Sequence, residues 1–103
     1  MITEEHINKL KIIISLKKLL EKGKNLQKEV KDNKIIYSYH GLASNALLRK
    51  ATINDTLNGR TSPKATTLIS IIEAMGFTVK DFGQEFDAIS DEEIKKYVQD
   101  HSW

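Results

Sequence analysis

The chain has no cysteine among its 103 residues, so neither a disulfide nor a thiolate metal site is open to it. That composition suits a reducing, cytoplasmic setting. Its histidines, His6, His40 and His101, stand far apart and share no metal-ligand spacing. There is no glycine-rich phosphate loop, and no serine has a nucleophile-elbow context. The paired acids Glu92 and Glu93 serve better as helix-capping groups than as a catalytic pair. These absences argue against an enzyme and imply neither a metal nor a cofactor. Long apolar runs are missing too. The longest, Ile12-Ile13-Ile14-Ser15-Leu16, is closed by Lys11 on one side and Lys17-Lys18 on the other, far short of the roughly 20 residues a membrane span needs. Glu4 and Glu5 precede it where a secretory signal would be basic, so no targeting segment is expected.

Proline and glycine are also scarce, with one and five residues respectively, and no alternating strand pattern persists. Helix signals are dense instead. Thr3 caps a first helix with Ile2 and Ile7 as its staple. Ile7, Leu10, Ile13, Ile14, Leu16 and Leu20 form its apolar face, and Gly23 is expected to stop it. A second helix is expected over 25–33 with Leu26 and Val30 inward, a third over 38–47 and a fourth over 50–58, stopped by Gly59. Ser62 and Pro63 fit the N-cap and first position of a fifth, whose core face is Leu68, Ile69, Ile71, Ile72 and Met75 and whose stop is Gly76. Thr78 caps a short helix stapled by Phe77 and Phe82. Ser90 to Glu93 reads as a full capping box for a last helix carrying Ile94, Tyr97 and Val98. The expected fold is an all-α bundle of short helices. It divides into an N-terminal helix over 1–24, a central unit over 25–87 and a C-terminal helix over 88–103.

Charge is nearly balanced overall, at +2, but it is not evenly spread. Residues 24–64 carry eight basic and three acidic side chains, whereas residues 65–103 carry three basic and eight acidic. A basic middle and an acidic end suit a molecule with one face toward phosphate.

The informative stretch runs from Leu42-Ala43 to Leu68. Ala43 is small where two helices must cross closely, and Leu42, Leu48 and Ile53 are spaced to lock them together. Between the apolar positions, Arg49, Lys50, Ala51, Asn54 and Asp55 are small, polar or charged, as a helix lying in a DNA major groove requires. The run from Lys50 through Leu57-Asn58-Gly59 and Arg60-Thr61-Ser62-Pro63 resembles the recognition helix and following loop of lambda-Cro-like (XRE-type) helix-turn-helix repressors. Thr67 to Gly76 and Thr78 to Phe82 resemble the next two helices of that family, and the likeness covers roughly residues 26–86. The chain departs from the pattern at Leu47, where the family usually has Gly, and at Arg49, where it usually has Ser or Thr.

The resemblance implies base contacts from Arg49, Lys50, Ala51, Asn54 and Asp55, and phosphate contacts from Tyr39, Arg60, Thr61 and Lys64. Lys can donate to guanine, Asn can pair with adenine and Ala can touch a thymine methyl. Asp55 has two options, accepting from cytosine N4 or holding Arg49 or Arg60 in place. A second register is open, with Gly41-Leu42-Ala43 as the turn and 44–50 as the recognition helix, which makes Asn45 and Leu48 groove-facing. The function expected is a transcriptional regulator binding operator DNA as a homodimer, either a repressor or an antitoxin, the latter bringing a toxin protein as partner. Ile12, Leu16 and Leu19 are the candidate dimer contact. The competing reading is a protein-interaction module on the same fold that has lost DNA binding and docks a partner on its first helix.

Overall fold

A computed structural model describes residues 4–30, 41, 43, 46 and 48–101, with the side chains of 27–30 left aside. The elements are α1 (Glu4–Val30), α2 (Lys50–Leu57), α3 (Ala65–Ala74), α4 (Val79–Ala88) and α5 (Asp91–Asp100). Gly41, Ala43 and Ala46, ahead of α2, are helical as well, and no strand occurs among the described residues.

The first helix is the spine. Its 27 residues, at about 1.5 Å rise each, make a rod of about 40 Å, close to the molecule's long axis of 43 Å. It packs against α2, α4 and α5. Leu16, Leu19 and Leu20 enter a core with Ala43, Ile53, Leu57, Ile71, Ile72, Ala74, Met75 and Phe82. Nearer its N-terminus, Leu10 and Ile14 meet Ile89 and Ile94, with Tyr97 and Val98 against them. One helix therefore serves two apolar clusters. Among the described side chains of α1 the one polar residue fully buried, Ser15, donates its hydroxyl to the Lys11 carbonyl at 2.6 Å and so carries no unpaired group into the core.

Gly23 does not stop the first helix, which runs on through residue 30, so no separate helix starts at 25. Glycine in a helix interior costs about 1 kcal/mol relative to alanine, and the burial of Leu16, Leu19 and Leu20 just upstream outweighs it. Leu26 continues the face of Leu19 one heptad later but is 47% exposed rather than inward. The proposed dimer contact is not a surface. Leu16 and Leu19 are fully buried and Ile12 packs against the main core, because α1 is covered from several sides at once. Ile69 was expected in the core and is 39% exposed.

The fifth expected helix starts two residues late. Lys64 (φ −66°, ψ 154°) is its N-cap and supplies no side-chain bond, leaving Ser62 and Pro63 in the loop. Proline forces its predecessor toward extended backbone, and its own φ suits an extended loop as well as a helix start. Thr78 caps α4 as expected, with a reciprocal box. Its Oγ1 accepts from the Asp81 N–H at 3.2 Å, and Asp81 Oδ2 accepts from the Thr78 N–H at 2.8 Å. At Ser90 the hydroxyl accepts from the Glu93 N–H at 3.2 Å, but the Glu93 carboxylate turns to Lys18 Nζ at 2.6 Å, binding α5 to α1. The Thr3 cap, the Ile2 staple and most of the expected third helix lie outside the described residues.

Candidate nucleic-acid interface

The surface begins where the helical residues ahead of α2 end. The Leu48 N–H donates to the Ala43 carbonyl at 2.8 Å, a six-to-one bond of the kind that closes a helix. Leu48 and Arg49 are not helical, and Arg49 is extended at φ −72°, ψ 143° with no side-chain cap on α2. A recognition helix over 44–50 would need both to be helical, so the second register is not formed. Asn45, its central residue, lies outside the described residues, as do Tyr39, Leu42 and Leu47.

The eight residues of α2 divide between two sides. Ile53, Thr56 and Leu57 are buried on one side. On the other, Lys50 and Ala51 are exposed and Asn54 and Asp55 half-exposed, with half-exposed Thr52 between the two sides and the N-cap Arg49 exposed just ahead of the helix. Lys50 and Asn54 are four residues apart and so neighbours on one face. The helix stops in a Schellman turn. Gly59 takes φ 73°, a conformation that costs glycine little. Its N–H donates to the Thr56 carbonyl at 3.3 Å and the Arg60 N–H to the Asp55 carbonyl at 2.8 Å. Thr61 N–H also points to the Asp55 carbonyl, at 3.4 Å. The loop then runs exposed through Arg60, Thr61 and Ser62 to Lys64.

The side chains of Arg49, Lys50 and Lys64 make no ion pair or hydrogen bond among the described residues. Three lysines of α1 are differently placed. Lys11 Nζ lies 4.3 Å from the Phe86 ring centroid, Lys17 Nζ donates to Tyr97 Oη at 2.9 Å, and Lys18 holds Glu93. These cations fasten α1 to α4 and α5, which sequence alone did not reveal, since each pairing spans most of the chain. The acidic end of the molecule lies on α4 and α5, where Asp87, Asp91, Glu92 and Asp100 are exposed.

One carboxylate stands among the cations of the α2 surface. Asp55 Oδ1 is 3.6 Å from Arg60 Nη1, with the arginine side chain 71% exposed. Of the two roles open to Asp55, holding Arg60 is the one its position in the free protein satisfies. The sequence signal was the five-residue spacing across Asn58-Gly59.

No protein-family model, characterised protein or solved structure matches the chain. No helix among the described residues is long and apolar enough to cross a membrane.

Proposed function

We propose that the protein is a sequence-specific double-stranded DNA-binding regulator of the lambda-Cro-like helix-turn-helix kind, with α2 as its recognition helix. The observation that carries this reading is the division of α2 and its loop. Ile53, Thr56 and Leu57 anchor the helix in the core, while Arg49, Lys50, Ala51, Asn54, Arg60, Thr61 and Lys64 present small and cationic groups to solvent. Lys50 and Asn54 would meet base edges in the major groove, with Ala51 against a thymine methyl and Arg49 at the rim. Arg60, Thr61 and Lys64 would grip phosphate and set the docking register. A homodimer on two half-sites one helical turn apart is the arrangement such a unit needs to read an operator. Repression follows from occupying the operator, in a cytoplasmic setting, and an antitoxin role would add a toxin protein as partner.

The test is selection of bound duplexes from a random pool, followed by titration of the selected sequence at several salt concentrations and by sedimentation of the complex. A recovered motif, a linear fall of log affinity with log salt and a two-to-one complex are expected. Absence of any salt-dependent retention on random DNA would refute DNA binding. A one-to-one complex would refute the dimer alone.

A further inference from the structure

α2 and α3 end in the same way, but one pair of side chains differs between the two ends. In a Schellman turn the third residue from the helix end and the second residue beyond the cap are brought together, and an apolar contact usually fills that space. At the end of α3 this is what the chain has. Gly76 takes φ 82°, the Gly76 N–H donates to the Glu73 carbonyl at 2.9 Å and the Phe77 N–H to the Ile72 carbonyl at 3.2 Å. Ile72 and Phe77 occupy the paired positions as hydrophobes of the main core. At the end of α2 the backbone is the same, but the paired positions hold Asp55 and Arg60. An ion pair stands where the fold elsewhere uses grease. Stability does not account for it, because an ion pair this exposed contributes little to folding.

We infer that the Asp55–Arg60 pair is a specificity device of the interface proposed above, on which this inference rests. Asp55 sits beside Asn54 on the base-facing helix. It ties down Arg60 twice, through its carbonyl to the Arg60 N–H and through its carboxylate to the guanidinium. Guanidinium has five donors in a planar fork. Nη1 can therefore stay with Asp55 while the remaining N–H groups meet a phosphate. Arg60 then reaches backbone only from a position fixed relative to Lys50 and Asn54, so the phosphate grip is strongest when the bases also fit. On DNA that α2 does not fit, the Asp55 carboxylate opposes nearby phosphate and holds Arg60 back from a freer grip. Asp55 is thus a positioning residue and not a base contact.

The experiment uses the full chain, the operator recovered by selection and a random duplex of equal length. Affinities for both are measured for wild type, Asp55→Asn, Arg60→Ala and the double variant, with thermal melts to verify folding. Asp55→Asn is expected to lower the operator-to-random affinity ratio by about two- to fivefold, the range corresponding to one exposed charge pair. Arg60→Ala weakens the operator complex more than the random one and so lowers the ratio to a similar extent, and in its background Asp55→Asn leaves the ratio unchanged. Should Asp55→Asn melt early, Asp55→Leu supplies the apolar contact seen at Ile72 and is expected to lower the ratio likewise. An unchanged ratio in the folded Asp55 variant overturns the inference while DNA binding stands. An equal fall of the ratio with and without Arg60 also overturns it, since Asp55 would then be reading a base directly. Failure of the wild type to bind DNA in a salt-dependent way removes the functional reading and this inference together.

Discussion

Lys50 and Asn54 share one face of α2, and neither is held by the fold in the way that Asp55 holds Arg60. A base contact and a phosphate contact should respond differently when removed. Asn54→Ala is expected to weaken binding to the preferred operator by about 1–3 kcal/mol and to relax preference at one base pair. Arg60→Ala is expected to weaken the operator and its single-base variants together, relaxing preference at no one base pair, and to shallow the salt slope by about one unit. Titrations of both variants on operator and single-base variants, at three or more salt concentrations, separate the two roles. Equal behaviour of the two variants would mean that α2 does not read bases through Asn54. At this scale the sequence was informative about which side chains share a face, because helical spacing alone decides it. It left the Asp55 alternatives open, because a carboxylate next to a turn has several partners within reach until the turn geometry is fixed.

The caps give the individual helices a pH dependence. Asp81 is held below the usual carboxylate range, first by the backbone N–H of Thr78, then by the Thr78 hydroxyl, with lesser help from Lys22 and Lys80. Glu93 is lowered chiefly by its bond to Lys18, with a smaller contribution from the Ser90 backbone. A carboxylate whose pKa is depressed by folding stabilises the native state above its unfolded pKa, and that contribution is lost as pH falls through the folded value. Thermal melts should therefore be level near neutrality and drop as pH falls below about 4, the ordinary carboxylate value. Asp81→Asn and Glu93→Gln together should lower the neutral-pH midpoint and flatten the acid limb. An acid limb as steep in the double variant as in wild type would show that other carboxylates govern it. Thr78 and the start of α5 were legible because capping residues act locally, within four positions. The boundaries at Gly23 and Ser62-Pro63 were not. In both places a local preference worth about 1 kcal/mol yields to packing or to the extended backbone around proline, and neither is visible in a short window.

For the molecule as a whole, α1 is what the other helices have in common. Leu16 is fully buried in the main core. Truncating such a leucine removes about 2–5 kcal/mol, depending on how far the site collapses. Leu16→Ala should lower stability by that amount in a single cooperative transition, with helicity and tryptophan-independent probes such as α4 and α5 hydrogen exchange lost together. Loss of α5 alone, with the rest of the bundle intact, would show that the two apolar clusters melt separately. The all-helical class was legible from the scarcity of proline and glycine and from the caps. The central position of α1 was not, since its broad apolar face is equally consistent with a helix exposed for dimerisation. What decided it were Ile53, Ile71, Ile72 and Phe82, partners more than 30 residues away in sequence.

That distance has a consequence in time. Ile89 and Ile94, which cover Leu10 and Ile14, are synthesised about 75 residues or more after them. At about 5–20 residues per second of synthesis, the N-terminal half of the spine waits several seconds, as an uncovered apolar helix, for the segment that encloses it. Helical bundles with mostly local contacts fold within microseconds to milliseconds, but here closure joins segments about 75 residues apart and the cellular rate is set by elongation. Nascent chains arrested before residue 89 should therefore engage chaperones or aggregate, and release past Ile94 should end that exposure.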